Sequence, residues 1–187
     1  QTGKGQHIDL SLLETTMSLL SNVASNYLIS GEESERYGNS HPNIVPYQAF
    51  QTSNGYIVVA CGNDRLYQNL CRLLEREELA TDPRFLTNPL RVVNRAQLIP
   101  LLQAALRQRT SEQWLAELRT IGVPCGPINR VSEAFNDPQI QARGLVWECE
   151  HPTAGPIKLV GSPMRFSESP ARLYKAPPLL GQHNDGF

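Results

Sequence analysis

The chain has 187 residues, of which 40% are hydrophobic and 19% are charged, and its formal net charge is -1 at pH 7. This hydrophobic content is enough for a packed core, and acidic and basic residues are dispersed along the chain, which excludes the electrostatic footprint of a nucleic-acid or anionic-membrane partner. No apolar run approaches the roughly 20 residues that a membrane helix needs, so we expect no membrane partner.

An amphipathic helix is the first element that the sequence predicts. Apolar residues recur at steps of three and four over residues 12–28, which places them on one face of a single helix of about five turns. Ser11 and Glu14 have the spacing of a capping box at its start, and Gly31 supplies its stop. A short strand over residues 7–10 is expected to lead into this helix.

A polar loop over residues 31–43 separates the helix from the clearest hairpin signal in the chain. Residues 47–50 and 56–60 form its two arms, the second of which is rich in β-branched residues. The turn between them contains Asn54 and Gly55, a pair that favours tight hairpin turns. We therefore expect two antiparallel strands here.

Three helices are predicted after the hairpin. The first is a segment that Asp64 caps, and the second covers residues 94–107, where Pro100 is expected to kink or shift the helix. The third begins at Thr110, which has capping-box spacing to a glutamine three residues later, and ends at Gly122.

Short elements are predicted for the rest of the chain. In chain order they are an extended segment over 123–128, helical turns over 132–135 and 137–143, and a hairpin with arms at 145–150 and 156–160. The extended segment follows from its prolines, which bias preceding residues away from α geometry. The tail from Ser167 carries three prolines and is expected to lie as an arm over another surface.

Metal and nucleophile motifs are weak in this sequence. No metal site is predicted, since none of the four histidines has a carboxylate or cysteine at ligand spacing, and no G-x-S-x-G serine elbow occurs. A metal cluster assembled only in three dimensions and a cysteine nucleophile with a distant histidine partner stay open. The cysteines show no C-x-x-C pair and are expected to be buried free thiols of a reducing cytoplasm: Cys61, Cys71, Cys125 and Cys149.

The segment over residues 38–48 is the best candidate for function. A long loop of small and polar residues between a helix and a hairpin can reach into a neighbouring cleft, although a purely structural role stays open on this argument alone. The candidate substrate-contacting residues are Gly38, Asn39, His41, Pro46, Tyr47 and Gln48.

Seven motifs follow one another along the chain. They are TGKGQHIDLSLLE, RYGNSHPNIVPYQAFQTSNGYIVVACGND, TDPRFLTNPLRVVNR, GVPCGPINRV, DPQIQARGLV, EHPTAGPIKLVGSPMRFS and APPLLGQH. In this order they resemble the family III CoA-transferases, which include formyl-CoA transferase, carnitine CoA-transferase and a branch of α-methylacyl-CoA racemases. The resemblance extends over the whole chain.

The resemblance implies an α/β (α+β) fold. The chain would be the small domain of such an enzyme, with a long N-terminal helix and a C-terminal arm from the large domain. The implied boundaries are a large-domain remnant over 1–44, a small α/β domain over 45–166 and the returning arm over 167–187. Both ends are polar runs that look cut, so we expect a C-terminal fragment of a longer enzyme.

The family's chemistry places the catalytic group outside this chain. In the enzymes that it resembles, an aspartate attacks the acyl-CoA thioester, which gives a mixed anhydride and then an aspartyl-CoA thioester. That aspartate lies upstream of the TGKGQ motif, so no catalytic residue is assigned here, and Asp9 is not a substitute. Coenzyme A is implied as a substrate of the parent enzyme and not as a cofactor bound by this chain alone.

The partners implied are an acyl-CoA, a carboxylic acid and a second copy of the enzyme in a homodimer or higher assembly. Residues 38–48 correspond to the loop that covers the active aspartate in formyl-CoA transferase, but its run of glycines is not reproduced. A matching loop motion is therefore not expected.

Two branches of the family are separated by one position. Racemases place a proton-transferring glutamate shortly after the second strand of the hairpin, where this chain has Asn63, and an amide cannot exchange a proton near neutral pH. Transfer is therefore favoured over racemisation, and the wording of residues 21–50 resembles the members that use small dicarboxylates. The alternatives are a stand-alone small domain without enzymatic activity, acting in assembly or binding, and a racemase fragment.

Overall fold

The fold combines helices and strands, which confirms the predicted α+β class. The computed structural model describes residues 3–184. Its helices are α1 (Leu12–Leu19), α2 (Ser21–Ser30), α3 (Asp64–Leu73), α4 (Glu77–Thr81), α5 (Asn88–Val93), α6 (Arg95–Leu106), α7 (Ser111–Thr120), α8 (Val131–Phe135) and α9 (Pro138–Ala142). Its strands are β1 (Tyr47–Gln51), β2 (Tyr56–Ala60), β3 (Cys125–Pro127), β4 (Val146–His151) and β5 (Gly155–Val160).

The contacts within the chain divide it into two compact units. The first unit ends at Ile128 and the second begins at Asn129. The sequence-based boundaries at 44/45 and 166/167 fall elsewhere and stay a prediction about the parent enzyme.

The prediction of one long N-terminal helix is wrong, because α1 and α2 are separate helices. The chain turns at Ser21, whose φ of +47° lies in the left-handed region that costs an L-residue about 1–2 kcal/mol in a helix. Hydroxyls upstream bond to helix carbonyls, for example Ser18 Oγ to the Thr15 carbonyl at 2.7 Å. Such bonds compete with the helical ladder, which explains why the apolar period alone overestimated the helix.

Of the two predicted ends of this helical segment, the start is confirmed only in part and the end is confirmed. Ser11 accepts from the Glu14 amide at 3.1 Å, but the Glu14 carboxylate accepts from the Ser11 hydroxyl instead of returning to its amide, so only half of the capping box forms. Gly31 ends α2 with φ +75° and donates to the Tyr27 carbonyl, as predicted. The strand predicted over residues 7–10 is wrong: these residues form no strand, since a strand needs a partner to pair with.

The first unit is built on a three-stranded antiparallel sheet in the order β1-β2-β3. The predicted hairpin is confirmed, with Tyr47 opposite Ala60 and Gln51 opposite Tyr56, and the predicted extended segment supplies β3. Alternate residues point into the core, where Phe50, Ile57 and Val59 have no exposed surface.

Helices α3 to α7 supply most of the rest of this core. The fully or almost fully buried apolar residues they bring include Tyr67, Leu70, Leu98, Leu102, Leu106, Trp114 and Leu118. The helix predicted over residues 94–107 is confirmed as α6, which contains Pro100, and the expected kink stays a prediction. The predicted α7 is confirmed with a full capping box between Thr110 and Gln113. The sequence did not predict α4 or α5.

Two local contacts explain how the ends of these helices are fixed. The cap of α3 is Asn63, which accepts from the Leu66 amide at 2.9 Å, so the prediction that Asp64 caps this helix is wrong by one residue. At the end of α7, Gly122 has φ +70°, and the Val123 amide returns to the Leu118 carbonyl at 3.0 Å, as in a Schellman motif.

The second unit holds α8, α9 and the hairpin of β4 and β5. This hairpin and both helical turns are confirmed, and the register pairs Val146 with Val160 and His151 with Gly155. Residues 161–184 form no helix or strand, and the idea that this tail lies over another surface stays a prediction. Over the described residues, no helix is long and apolar enough to cross a membrane.

Candidate functional site

The loop over residues 38–48, called here the 38–48 loop, is folded tightly against the start of β1. The Asn39 side chain accepts from the Ala49 amide at 2.9 Å, and the Ser40 hydroxyl donates to the Gln48 side chain at 3.1 Å. The His41 amide donates to the Tyr47 carbonyl at 2.9 Å. These bonds bring four of the six candidate residues, through side-chain or backbone groups, into one compact turn.

The candidate residues differ in exposure within this turn. Gly38, Asn39 and Tyr47 are exposed, His41 and Gln48 are half-buried, and Pro46 is buried with its carbonyl accepting from the Cys61 amide at 2.8 Å. Gly38 has φ +60°, a conformation that favours glycine at the entry to the turn. Pro46 is therefore a structural residue, whereas His41 and Tyr47 are accessible.

The rings of His41 and Tyr47 are stacked. Their centroids lie 5.3 Å apart with an angle of 17° between the planes. The Nδ1 atom of His41 also accepts from the Asn43 amide at 3.0 Å. The imidazole is thus fixed in position by both a ring contact and a hydrogen bond.

The buried Arg91 anchors the loop to the core, a role that sequence reasoning missed. Its side chain has no exposed surface, and its guanidinium donates to the carbonyls of Val45 at 2.7 Å and Phe85 at 3.1 Å. It also pairs with Asp64 at 2.8 Å and lies 4.4 Å from the centre of the Tyr67 ring. A buried cation is tolerated only when it is paired and hydrogen-bonded in this way.

A second arginine holds the exposed side of the loop. Arg95 donates to the carbonyls of His41 at 3.0 Å and Pro42 at 2.6 Å, and its guanidinium lies 5.2 Å from the centre of the Tyr37 ring. The loop carbonyls that the two arginines bind lie 46 to 54 positions away in sequence, so no local signal could have identified these anchors.

Amide side chains complete the anchoring. Asn88 accepts from the Val45 amide at 3.0 Å and donates to the Asn43 carbonyl at 2.8 Å. The side chains of Asn43 and Asn26 form a reciprocal pair, with distances of 3.1 and 3.0 Å, that joins the loop to α2. A loop with this many partners is preorganised. This agrees with its sequence, which lacks the run of glycines that would make the backbone flexible.

Asn63 lies just past the end of β2 that is paired with Tyr47. Its side-chain oxygen is used as the cap of α3, and its neighbour Asp64 is the carboxylate that pairs with Arg91. The position thus has a structural task, and its amide offers no proton-transferring group.

The thiols of this unit are poor nucleophiles. Burial raises the pKa of Cys61 to about 12 and the pKa of Cys71 to about 11, and burial also raises the pKa of Cys125. These thiols stay protonated at neutral pH, whereas the thiolate is the nucleophilic form. All four cysteines are free, as predicted, although Cys125 and Cys149 are only half-buried.

Among residues 3–184, no three His, Cys, Asp or Glu side chains form a group that could hold a metal ion.

Known proteins resemble this chain over almost all of its length. Succinyl-CoA:glutarate CoA-transferase from Homo sapiens is 44% identical over 183 residues, which cover 98% of this chain and 42% of the relative. Succinate--glutarate CoA-transferase from Agrobacterium fabrum is 38% identical over 98% of this chain and 46% of its own length.

A solved structure has the same fold. A CAIB/BAIF family protein from Brucella suis is 46% identical and superposes with a TM-score of 0.76, covering 98% of this chain and 47% of that protein. The chain therefore spans less than half the length of the relatives it matches. The model of CoA-transferase family III matches residues 1–184, and this chain belongs to that family.

Proposed function

We propose that this chain is part of an enzyme that moves CoA between an acyl-CoA and a carboxylic acid. The observation that carries the proposal is the 44% identity to succinyl-CoA:glutarate CoA-transferase over 98% of the chain. Coenzyme A is then a substrate, and the nucleophilic aspartate belongs to a part of the enzyme that this chain does not contain. The four free thiols favour a reducing compartment such as the cytoplasm.

The proposed carboxylic acids are small dicarboxylates. The relatives from Homo sapiens and Agrobacterium fabrum carry glutarate in their names, and an acetyl-CoA:oxalate CoA-transferase from Acetobacter aceti is 36% identical over 89% of this chain. The 38–48 loop is the proposed contact of this chain with the acyl group, through Gly38, Asn39, His41, Tyr47 and Gln48. Pro46 contributes by shaping the loop, since it is buried.

Racemisation is the less favoured alternative. It requires a group that gives and takes a proton, and the amide of Asn63 is already used as the cap of α3. A binding or assembly module without enzymatic activity is the other alternative. Such a module would act without the part of the enzyme that carries the nucleophilic aspartate.

A chimera tests the proposed function. The matched 183-residue segment of the human relative is replaced by the corresponding residues of this chain, and CoA exchange between succinyl-CoA and glutarate is measured. We expect the chimera to transfer CoA, and we expect this chain alone to show no turnover, because it lacks the aspartate.

Two results would contradict this proposal. One is a chimera that folds, judged by a cooperative thermal transition, and shows no transfer. The other is robust turnover by the isolated chain, which would mean that a nucleophile lies within it. Epimerisation of an α-methylacyl-CoA by the folded chimera would support the racemase alternative.

A further inference from the structure

The two ring nitrogens of His41 are in different chemical situations. Nδ1 accepts a hydrogen bond from the Asn43 amide at 3.0 Å. A backbone amide can only donate, so Nδ1 must carry a lone pair, and the neutral ring then carries its proton on Nε2. The contact with Asn43 therefore fixes which tautomer is present.

The backbone around His41 is held as firmly as its ring. Its amide is bound to the Tyr47 carbonyl at 2.9 Å, and its carbonyl is bound by Arg95 at 3.0 Å. Tyr47 also stacks on the ring with centroids 5.3 Å apart. The imidazole is held at one face and at Nδ1 before any ligand arrives, which reduces the entropy lost on binding.

The Nε2 atom has no hydrogen-bond partner within residues 3–184, and His41 is half-buried. Arg95 binds the backbone carbonyl of the same residue. A fixed, unpaired N–H donor suits an oxygen acceptor, and the bond is stronger when that oxygen carries negative charge. A carboxylate or an acyl oxygen of the substrate is such an acceptor.

We propose that His41 is a fixed Nε2–H donor that binds an oxygen atom of the transferred acyl group, and that Arg95 is a positioning residue for it. The proposal deepens the proposed function and rests on it, because it assumes that the 38–48 loop meets the acyl substrate. The imidazole only donates a hydrogen bond and neither gains nor loses a proton.

The second unit contains a reference for this arrangement. The Nδ1 atom of His151 accepts from the amides of Thr153 at 3.3 Å and Ala154 at 3.2 Å, which close the turn of the β4–β5 hairpin. His151 therefore also carries its ring proton on Nε2 when it is neutral. Because His151 closes a turn, its tautomer has a structural explanation that needs no ligand.

Nitrogen NMR of the isolated, ¹⁵N-labelled chain tests the tautomer. Long-range proton–nitrogen spectra at a pH where the rings are neutral are expected to show a single Nε2–H form for both His41 and His151. The exposed His7 provides a reference in which the two neutral tautomers exchange and their signals are averaged. We expect Arg95→Ala to shift the His41 signals toward that average while His151 stays unchanged. A predominantly Nδ1–H His41 would overturn the proposal whatever the activity of the enzyme.

Matched substitutions in the chimera described above test the donor role. Gln places its amide nitrogen as many bonds from Cα as Nε2, whereas Asn places its nitrogen where Nδ1 stands. We expect His41→Gln to keep most of the transfer rate and His41→Asn to lose roughly tenfold or more in kcat/KM, as for a lost hydrogen bond to a charged acceptor. The control His151→Asn is expected to leave kcat/KM unchanged.

The outcomes separate this inference from the proposed function. Equal losses in His41→Gln and His41→Asn, or no loss in either, would overturn the donor role even if the parent chimera is active. For Arg95, rescue of the rate by Arg95→Lys relative to Arg95→Ala supports positioning, since a lysine can still bind the two carbonyls. A folded but inactive parent chimera contradicts the proposed function, and the NMR result then decides whether His41 is a fixed donor.

Discussion

Arg91 is the residue on which the packing beneath the 38–48 loop depends most. It is a buried cation with three hydrogen-bond partners, two of which are backbone carbonyls. Replacing such a group leaves its acceptors buried without a donor, where water cannot take its place. The free energy lost by leaving a buried acceptor unpaired is larger than the net contribution of the hydrogen bond to stability.

Arg91→Ala is expected to lower the free energy of unfolding by about 3–5 kcal/mol, the range for breaking a buried ion pair. Urea denaturation measures it. The matched control is Arg84→Ala, because Arg84 also pairs with an aspartate, Asp82, and lies 4.9 Å from the centre of the Phe85 ring, but its side chain is 52% exposed. Little change is expected for the control, and a similar loss in both variants would contradict the role of burial.

At the scale of elements, the helical pair α1 and α2 differs from every other helix of the first unit. Neither helix has a buried residue, and Leu12, Leu13, Leu28 and Ile29 are each more than 70% exposed. A groove of about 420 Å³ runs along the pair, lined by Met17, Leu20, Val23, Ala24, Tyr27, Leu28, Glu33 and Ser34. Soluble monomers rarely keep such a continuous apolar patch bare.

We expect this apolar face to pair with a second copy of the chain. Size-exclusion chromatography with light scattering is expected to show a dimer or a larger species whose population rises with concentration. Leu28→Glu should shift the population toward monomer, because it places a charge in the groove. Ser25→Glu adds the same charge to α2 outside the groove lining and should not. A stable wild-type monomer at high concentration would contradict this expectation.

Other elements follow from signals near them in the sequence. The β1–β2 hairpin and α7 were predicted because an Asn-Gly turn and a capping box lie within a few residues of the groups that they bind. The prediction of a single long helix was wrong because the apolar period shows which residues share a face but not whether the backbone stays helical. At Ser21 the φ angle is positive, and the helix is interrupted there. The short α4 and α5 carry too few residues for a periodic signal.

At the scale of the whole molecule, global stability is expected to fall in alkaline solution. Burial raises the pKa of Cys61 to about 12 and that of Cys71 to about 11 from an ordinary value of 9.0. Above pH 9 the unfolded chain loses these protons while the native chain keeps them. The contribution of these two thiols to the free energy of unfolding is therefore fully present below pH 9 and is lost as the pH rises toward 11–12.

The expected loss is about 1 kcal/mol per thiol between pH 8 and pH 10. Urea denaturation at the two pH values measures it in the wild type and in the double variant Cys61→Ala/Cys71→Ala. The double variant is less stable at pH 8, since it loses buried volume, but its further loss at pH 10 should be smaller. An equal loss in both proteins would assign the effect to other groups.

The sequence by itself determined the family, the strands of both hairpins and the residues of the candidate loop, because each depends on motifs or periods contained in short stretches. Tertiary structure alone decided how that loop is held. The bond from Arg91 to Val45 spans 46 positions and the bond from Arg95 to His41 spans 54, and no local pattern encodes which distant carbonyl an arginine will reach. The tautomer of His41 depends instead on the Asn43 amide two residues away, while the contacts with Arg95 and Tyr47 that hold this residue in place form only when the loop closes on β1.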